Sequence, residues 1–390
     1  SAASTCAPTP PRSMWQGSIS STSEQKAARK RFVGLDFLKA VAAIFIVMHH
    51  YQQVSGVIFT TFNFYPASDA QLHLGFLTIL FFMISGFLVE WQQQQEERVG
   101  KQTSLPGKLW HKCLRIYPMA MIACVVYVGL GILDWLITDK WNWIMGGGGI
   151  WTFFCSMTLN SNMGIWSSSR TIANAPTWYL STLIFSCAVY YLLVYLCRRL
   201  KVQRLLMEMI LFLFLCAIRT QGAVMPFLAD SWDQRGGMVS FFMGILLCHL
   251  VPYISRRVKY FLLFISAGTL IVLLSGRGDW IEEQWFLLYP GIFINALYVQ
   301  DSPDSKVCRM IHFFASTSFN VYVWHCPIFM AEMVLLDILG VSLPCTYGVM
   351  AVFVVVVELL AIPLYLFVEK PLAKYMKKYE WQNLRPVDPL

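Results

Sequence analysis

The amino-acid sequence predicts an all-α fold, a polytopic transmembrane helix bundle of about ten spans with both termini cytoplasmic. Three observations lead there. The chain is 57% hydrophobic and only 13% charged, where soluble domains carry about 25% charged residues, and its mean hydropathy is +0.54. Apolar runs recur that are long enough for a hydrocarbon core, which needs roughly 20 residues per helix. Every second connection between those runs is basic, as expected where Lys and Arg hold loops on the cytoplasmic side.

The first thirty residues are rich in Ser, Ala, Pro and Thr. Such a stretch buries too little apolar surface to order itself, so residues 1–30 are expected to be a disordered tail. It holds no charged, apolar and small-residue leader, so no secretory signal is expected. Residues 31–373 form one transmembrane domain, and residues 374–390 a basic cytoplasmic tail. The spans fall at 34–54, 73–92, 114–134, 177–196, 203–219, 236–254, 259–275, 283–299, 311–336 and 346–368. Residues 147–159, "GGGGIWTFFCSMT", are the place for an additional, re-entrant element. With the N-terminus inside, 24 of the 30 Lys and Arg lie on inner segments, five lie outside, and Lys39 lies within a helix. The net charge of +8 follows from this topology and implies no nucleic-acid partner; membrane lipids are the expected surroundings. No repeat marks inverted transporter halves.

The first span, "LDFLKAVAAIFIVMHHYQQ", carries residues that a bilayer disfavours. A charge at mid-helix costs on the order of 2.5–3.5 kcal/mol by insertion scales. Eleven residues bring an α-helix back to within about 20° of the same face, so Lys39 and His50 share one stripe, roughly 16 Å apart along the axis. Asp36 is placed to pair with Lys39 at the inner end. His49 points about 100° away. Snorkelling of Lys39 to the interface is the plainer explanation; intramembrane ionisable residues otherwise mark function.

The late span "SFNVYVWHCPIFMAEM" repeats the pattern. Ser318, Tyr322, His325 and Glu332 fall on one face of the helix, and His325 stands at nearly the same distance from its helix start as His50. In "FFMISGFLVEW", Ser85 and Gly86 are mid-span, where small residues permit close helix approach; packing and substrate contact are both open. "LRIYP" puts Arg115 and Tyr117 at the inner end of the third span, after Lys112. Glu208 and Glu358 are intramembrane carboxylates without an evident partner, and Glu369 closes the last span. The eleven cysteines form no zinc-type spacing and read as small buried hydrophobes, so no metal is expected. Dinucleotide, P-loop, nucleophile-elbow, zincin and EF-hand patterns do not occur.

Five segments, in order, resemble the acyltransferase 3 family of integral-membrane O-acyltransferases. They are "RFVGLDFLKAVAAIFIVMHH", "FFMISGF", "RIYP", "SFNVYVWHCPIF" and "VEKPL", and together they cover roughly residues 31–373. Two departures stand out. Lys39 occupies the place of an Arg, losing its planar fork, and "TWYLSTL", with Trp178, lacks the Glu that many members carry. The resemblance implies transfer of an acyl group, usually acetyl, from acetyl-CoA or another acyl-CoA to a hydroxyl of an extracytoplasmic glycan or lipid-linked sugar. It implies a bacterial inner membrane as the location. Coenzyme A is then a donor substrate, with no permanently bound cofactor. The candidate catalytic residues are His50, His325 and Tyr322, with His50 as general base. Lys39, Asp36, Arg115, Lys112 and Ser85 are the candidates for binding acyl-CoA. Trp178 and Glu332 serve the acceptor or the structure. Two other readings compete: a transporter or flippase of a lipid-linked sugar or small metabolite, and a receptor or scaffold.

Overall fold

The computed structural model describes residues 31–55, 72, 74–100, 104–139, 150–161, 173–221, 232–278, 284–302, 304–342 and 346–379. The expected tail at 1–30 and the end of the chain from 380 lie outside the described residues. The helices are α1 (Val33–Ser55), α2 (Leu77–Arg98), α3 (Leu105–Thr138), α4 (Ile150–Met157), α5 (Thr177–Leu200) and α6 (Arg204–Gln221). They continue as α7 (Trp232–Leu250), α8 (Arg256–Leu274), α9 (Gln284–Leu297), α10 (Lys306–Leu339) and α11 (Tyr347–Pro363), which runs through a π-helical turn into α12 (Lys370–Met376). No strand occurs among the described residues. Among the described residues eight helices are long and apolar enough to cross a membrane; α6 and α9 fall outside that set.

Local chemistry sets several boundaries. Ser104, Ser255, Ser305 and Thr346 cap α3, α8, α10 and α11, each hydroxyl accepting from a backbone N–H in the first turn, which satisfies a donor the helix itself cannot. Gly340, at φ 63°, ends α10 in the left-handed conformation that glycine adopts without strain.

The helix ends gather by charge. Asp36 at the start of α1 meets His312 at the start of α10, and Phe32 packs on Trp91 of α2. Lys108 of α3 donates to Gln93 near the end of α2 at 2.6 Å. Glu97 of α2 pairs with Arg198 at the end of α5 and Arg204 at the start of α6, and Gln94 lies beside His249 at the end of α7. Lys259 of α8 stands over the ring of Tyr298 just after α9. Trp110 of α3 donates to the carbonyl of Tyr379, beyond α12. So α1, α3, α6, α8 and α10 begin, and α2, α5, α7, α9 and α12 end, on one face of the bundle.

The tightest packing is between α2 and α7. A Cβ at Gly86 would overlap the carbonyl of Phe241, and one at Gly244 would overlap the carbonyl of Met83. Gly86 therefore serves helix approach. Around this seam Phe82, Phe87, Phe241, Phe242 and Trp285 are fully buried. In contrast, α8 and α11 turn large side chains such as Phe264, Ile271, Val352 and Leu359 outward, as helices bordering lipid do. The short α4 reaches inward: Tyr117, in the first half of α3, donates its hydroxyl to the carbonyl of Met157 at 2.5 Å. The nine described cysteines are free, and each is buried or half-buried.

Gly86→Ala should force α2 and α7 apart at an overpacking cost of about 1–3 kcal/mol. Thermal unfolding in detergent measures it; an unchanged melting temperature would mean the seam has room for a methyl group.

Candidate functional site

The polar centre of the bundle lies between α1 and α10. His50 Nδ1 is 2.7 Å from His325 Nε2, with the rings 4.9 Å apart and within 16° of parallel. Two contacts place them. Asp36 and His312 touch at 2.8 Å; His50 lies fourteen residues after the first and His325 thirteen after the second. At 1.5 Å per residue these are runs of about 21 and about 20 Å. The two helices are thus parallel and in register, and an ionic contact at one level brings two imidazoles together at another.

The hydrogen-bond directions follow from the acceptors. His325 Nδ1 is 3.3 Å from the carbonyl of Val321. A carbonyl only accepts, so Nδ1 carries the proton and Nε2 offers a lone pair. His50 Nδ1–H then donates to it. This leaves the lone pair of His50 on Nε2, the atom that can take a proton from elsewhere. His49 is seated separately: it is buried, and a Cβ at Gly75 would come 2.9 Å from its Nε2.

An aromatic wall adjoins the pair. Tyr322 lies 6.1 Å from His325 between ring centres, and Tyr179 of α5 stands edge-on to Tyr322 at 5.3 Å. Ser85 Oγ is 3.3 Å from the Tyr179 hydroxyl. Phe81 and Phe82 of α2 close on Tyr179, and Trp178 lies 6.0 Å from Phe82.

At the charged face Asp36 is the hub. Its carboxylate accepts from Arg31 at 2.6 Å, His312 at 2.8 Å and Lys39 at 3.2 Å. His312 Nε2 faces Asp301 at 3.1 Å, so each of its nitrogens lies against a carboxylate. Arg115 is near enough to act on the charge of Lys39 and of Glu369, and Glu369 accepts from Asn320 at 2.5 Å. Lys112 turns instead to α5, where it reaches the thiol of Cys187.

A second charged knot joins α2, α5, α6 and α7. Glu90, fully buried, accepts from Arg204 at 2.6 Å, Gln94 at 2.8 Å and Tyr190 at 2.5 Å. His249 Nε2 lies 3.0 Å from Glu90 and 2.9 Å from Glu208. Glu208, partnerless in the sequence reading, is thus paired from both sides, by Arg204 and His249. A cavity of about 310 Å³ opens beside this knot, walled by Arg198, Arg204, His249 and Glu97 with Val194 and Leu205.

Two groups have ligating atoms close enough to surround a metal ion, His50–His325–Cys326 and Glu90–Glu208–His249. Tetrahedral zinc at about 2.0–2.1 Å from each nitrogen would hold them about 3.3 Å apart. The 2.7 Å between His50 and His325 is the length of a hydrogen bond. In the other group Glu90 Oε1 is already occupied by Arg204 and Gln94.

Of the residues singled out from the sequence, the structure joins His50, His325 and Tyr322, and separately Asp36, Lys39 and Arg115. Ser85 stands at the aromatic wall through Tyr179. Glu332 lies on α10 beyond His325, half-buried, with its Oε2 receiving no hydrogen bond among the described residues. Sequence reasoning missed Arg31, His312 and Asp301 at the hub, Tyr179 at the wall, and Glu90, Arg204 and His249 in the knot. A family model described as an acyltransferase domain, acyltransferase 3, matches residues 32–363. Comparison with curated proteins and with solved structures returns no match.

Two outcomes are expected. In ¹⁵N-histidine NMR of wild type against His50→Ala, the His50 signals should show a protonated Nδ1 and a bare Nε2; the opposite tautomer would reverse the relay. Arg204→Ala should lower the thermal stability by about 3–5 kcal/mol, because it leaves Glu90 and Glu208 buried without their guanidinium; calorimetry or a thermal-shift series reads this.

Proposed function

The chain belongs to the acyltransferase 3 family, and on that premise we propose that it is an O-acyltransferase drawing on cytoplasmic acyl-CoA. The acyl group is acetyl by preference, and the acceptor is a hydroxyl of an extracytoplasmic or lipid-linked glycan. Membership supports a membrane acyltransferase; donor, acceptor and the part played by histidine are this reading's own. Nothing in the fold or the family match favours a transporter or flippase.

One observation carries the reading: the hydrogen bond between His50 and His325 inside the bundle. A hydroxyl is a weak nucleophile at neutral pH and needs a base within reach of its proton. His50 Nε2 takes the hydroxyl proton as the oxygen attacks the thioester carbonyl. The tetrahedral intermediate collapses, the carbon–sulfur bond breaks, and the proton passes from His50 to the departing thiolate. Free coenzyme A and the ester are the products. His325 keeps His50 in the tautomer with its lone pair on Nε2 and shares the positive charge while the proton is held. Tyr322 and Tyr179 supply hydroxyls for the oxyanion or the acceptor, with Trp178 and Glu332 on the acceptor's side.

The donor's phosphates suit the charged face. Arg31, Lys39 and Arg115 stand there to meet them, and Lys112 lies one turn before Arg115. The pantetheine arm spans the distance to His50, roughly 16 Å from Lys39 along α1, passing Ser85. The gathering of helix starts and ends on one face supports ten spans, α6 and α9 included, with both termini cytoplasmic. The bacterial inner membrane is the proposed location.

The test is transfer of label from radioactive acetyl-CoA in membranes expressing wild type, Lys39→Ala or His50→Ala at equal levels. Wild type should label a lipid or glycan fraction. His50→Ala should lose on the order of 10²–10⁴-fold in rate, and Lys39→Ala should chiefly raise the KM for acetyl-CoA. Undiminished transfer by His50→Ala would end its assignment as the base.

A further inference from the structure

Two residues beyond His325, α10 carries Pro327. Proline has no N–H, so the carbonyl of Val323 loses the helical donor that position 327 would otherwise supply. The turn 323–327, which holds His325, is therefore short of one backbone hydrogen bond. Val323 is fully buried, so water does not make up the loss. Asn174 does: its Nδ2 donates to the Val323 carbonyl at 3.2 Å.

Asn174 is itself fully buried, in the short turn that leads into α5. Thr177 fixes that turn, donating to the Asn174 carbonyl from its backbone N–H at 3.0 Å and from its hydroxyl at 2.7 Å. Ser156 of α4 anchors the preceding residue, accepting from the N–H of Ala173 at 2.8 Å. Asn174 Oδ1 has no hydrogen-bond partner among the described residues. A buried amide group costs free energy unless bonded, and among the described residues the bond to Val323 is the hydrogen bond this side chain makes. Position 323 is about 200° around α10 from position 325. Asn174 thus grips the side of α10 turned away from His50 and touches no reacting atom.

We infer that Asn174 is a positioning residue: it replaces the hydrogen bond that Pro327 removes, holds the His325 turn of α10 against His50, and ties that turn to α5, which carries Tyr179. Its expected effect on rate rests on the acyltransferase reading above. Its effect on geometry does not.

The test is a double-mutant cycle of Asn174→Ala and Pro327→Ala, because Pro327→Ala gives Val323 back its helical N–H. With acetyl-CoA as donor, Asn174→Ala should lower kcat by about tenfold to a hundredfold with the KM for acetyl-CoA unchanged. In the Pro327→Ala background the same change should cost at most a few-fold. Equal losses in both backgrounds, or no loss in either, overturn the inference. A second readout needs no catalysis. In His50→Cys/His325→Cys protein, dibromobimane fluoresces once it bridges the two thiols, over the background set by His50→Cys alone. Asn174→Ala should lower that yield, and adding Pro327→Ala should restore it; an unchanged yield overturns the inference. If wild type transfers no label, the acyltransferase reading falls while the cross-link still decides the place of Asn174. If Asn174→Ala does not accumulate, the double variant should; failure of both would mean that Asn174 serves the fold at large.

Discussion

Asp36 sets the register on which the centre of the molecule depends. A carboxylate at the start of a membrane helix is costly unless it is paired and hydrogen-bonded; here Arg31 and Lys39 pair with it and His312 makes a further hydrogen bond to it. Lys39 comes from the same helix and Arg31 from the residues leading into it. His312 comes from the far end of the sequence, and through it α10 is held parallel to α1 at one height. Every residue beyond that point on α10 inherits its level. A shift of one helical turn would move His325 about 5 Å along the axis and separate it from His50.

The bundle handles polarity in two ways. Towards the charged face it uses ion pairing: the Asp36 hub, and the knot of Glu90, Glu208, Arg204 and His249, which with Tyr190 binds four helices. Removing one member there strands another. Around His50 and His325 it uses neutral hydrogen bonds and aromatic edges, with a backbone carbonyl as the last acceptor. No carboxylate is among the groups seen to touch either imidazole. The pair therefore differs from a histidine backed by an aspartate: the group that orients His50 is itself an imidazole.

What could be seen in the sequence was what recurs within one helix. The ten apolar segments all coincide with helices, although α9 is shorter than expected and α11 continues through a π-helical turn into α12, past the expected end. Asp36 and Lys39, three apart, announced their pairing, and eleven-residue spacing put His50 on the same face. His325 stood out because imidazole inside an apolar run is rare. His312 had no such signal: thirteen residues turn an α-helix about 140° from the His325 face, and its partner lies 276 positions away. Glu90 and His249 likewise carry no signal of their own, since nothing local says that Arg204 of another helix completes them. Tyr179 passed as one aromatic among many. Asn174 was invisible for another reason: its value comes from a proline in a different segment, and only packing connects the two.

The histidine pair also fixes an order of events in synthesis. His50 and His325 are 275 positions apart, on the first long helix and the tenth in chain order. At about 5–20 residues per second the ribosome needs roughly 14–55 s to travel between them. Through that interval α1 holds Asp36 and Lys39 as a local pair but neither of its α10 partners. The paired imidazoles come together only near the end of translation, after the helices from α2 to α9 have been made.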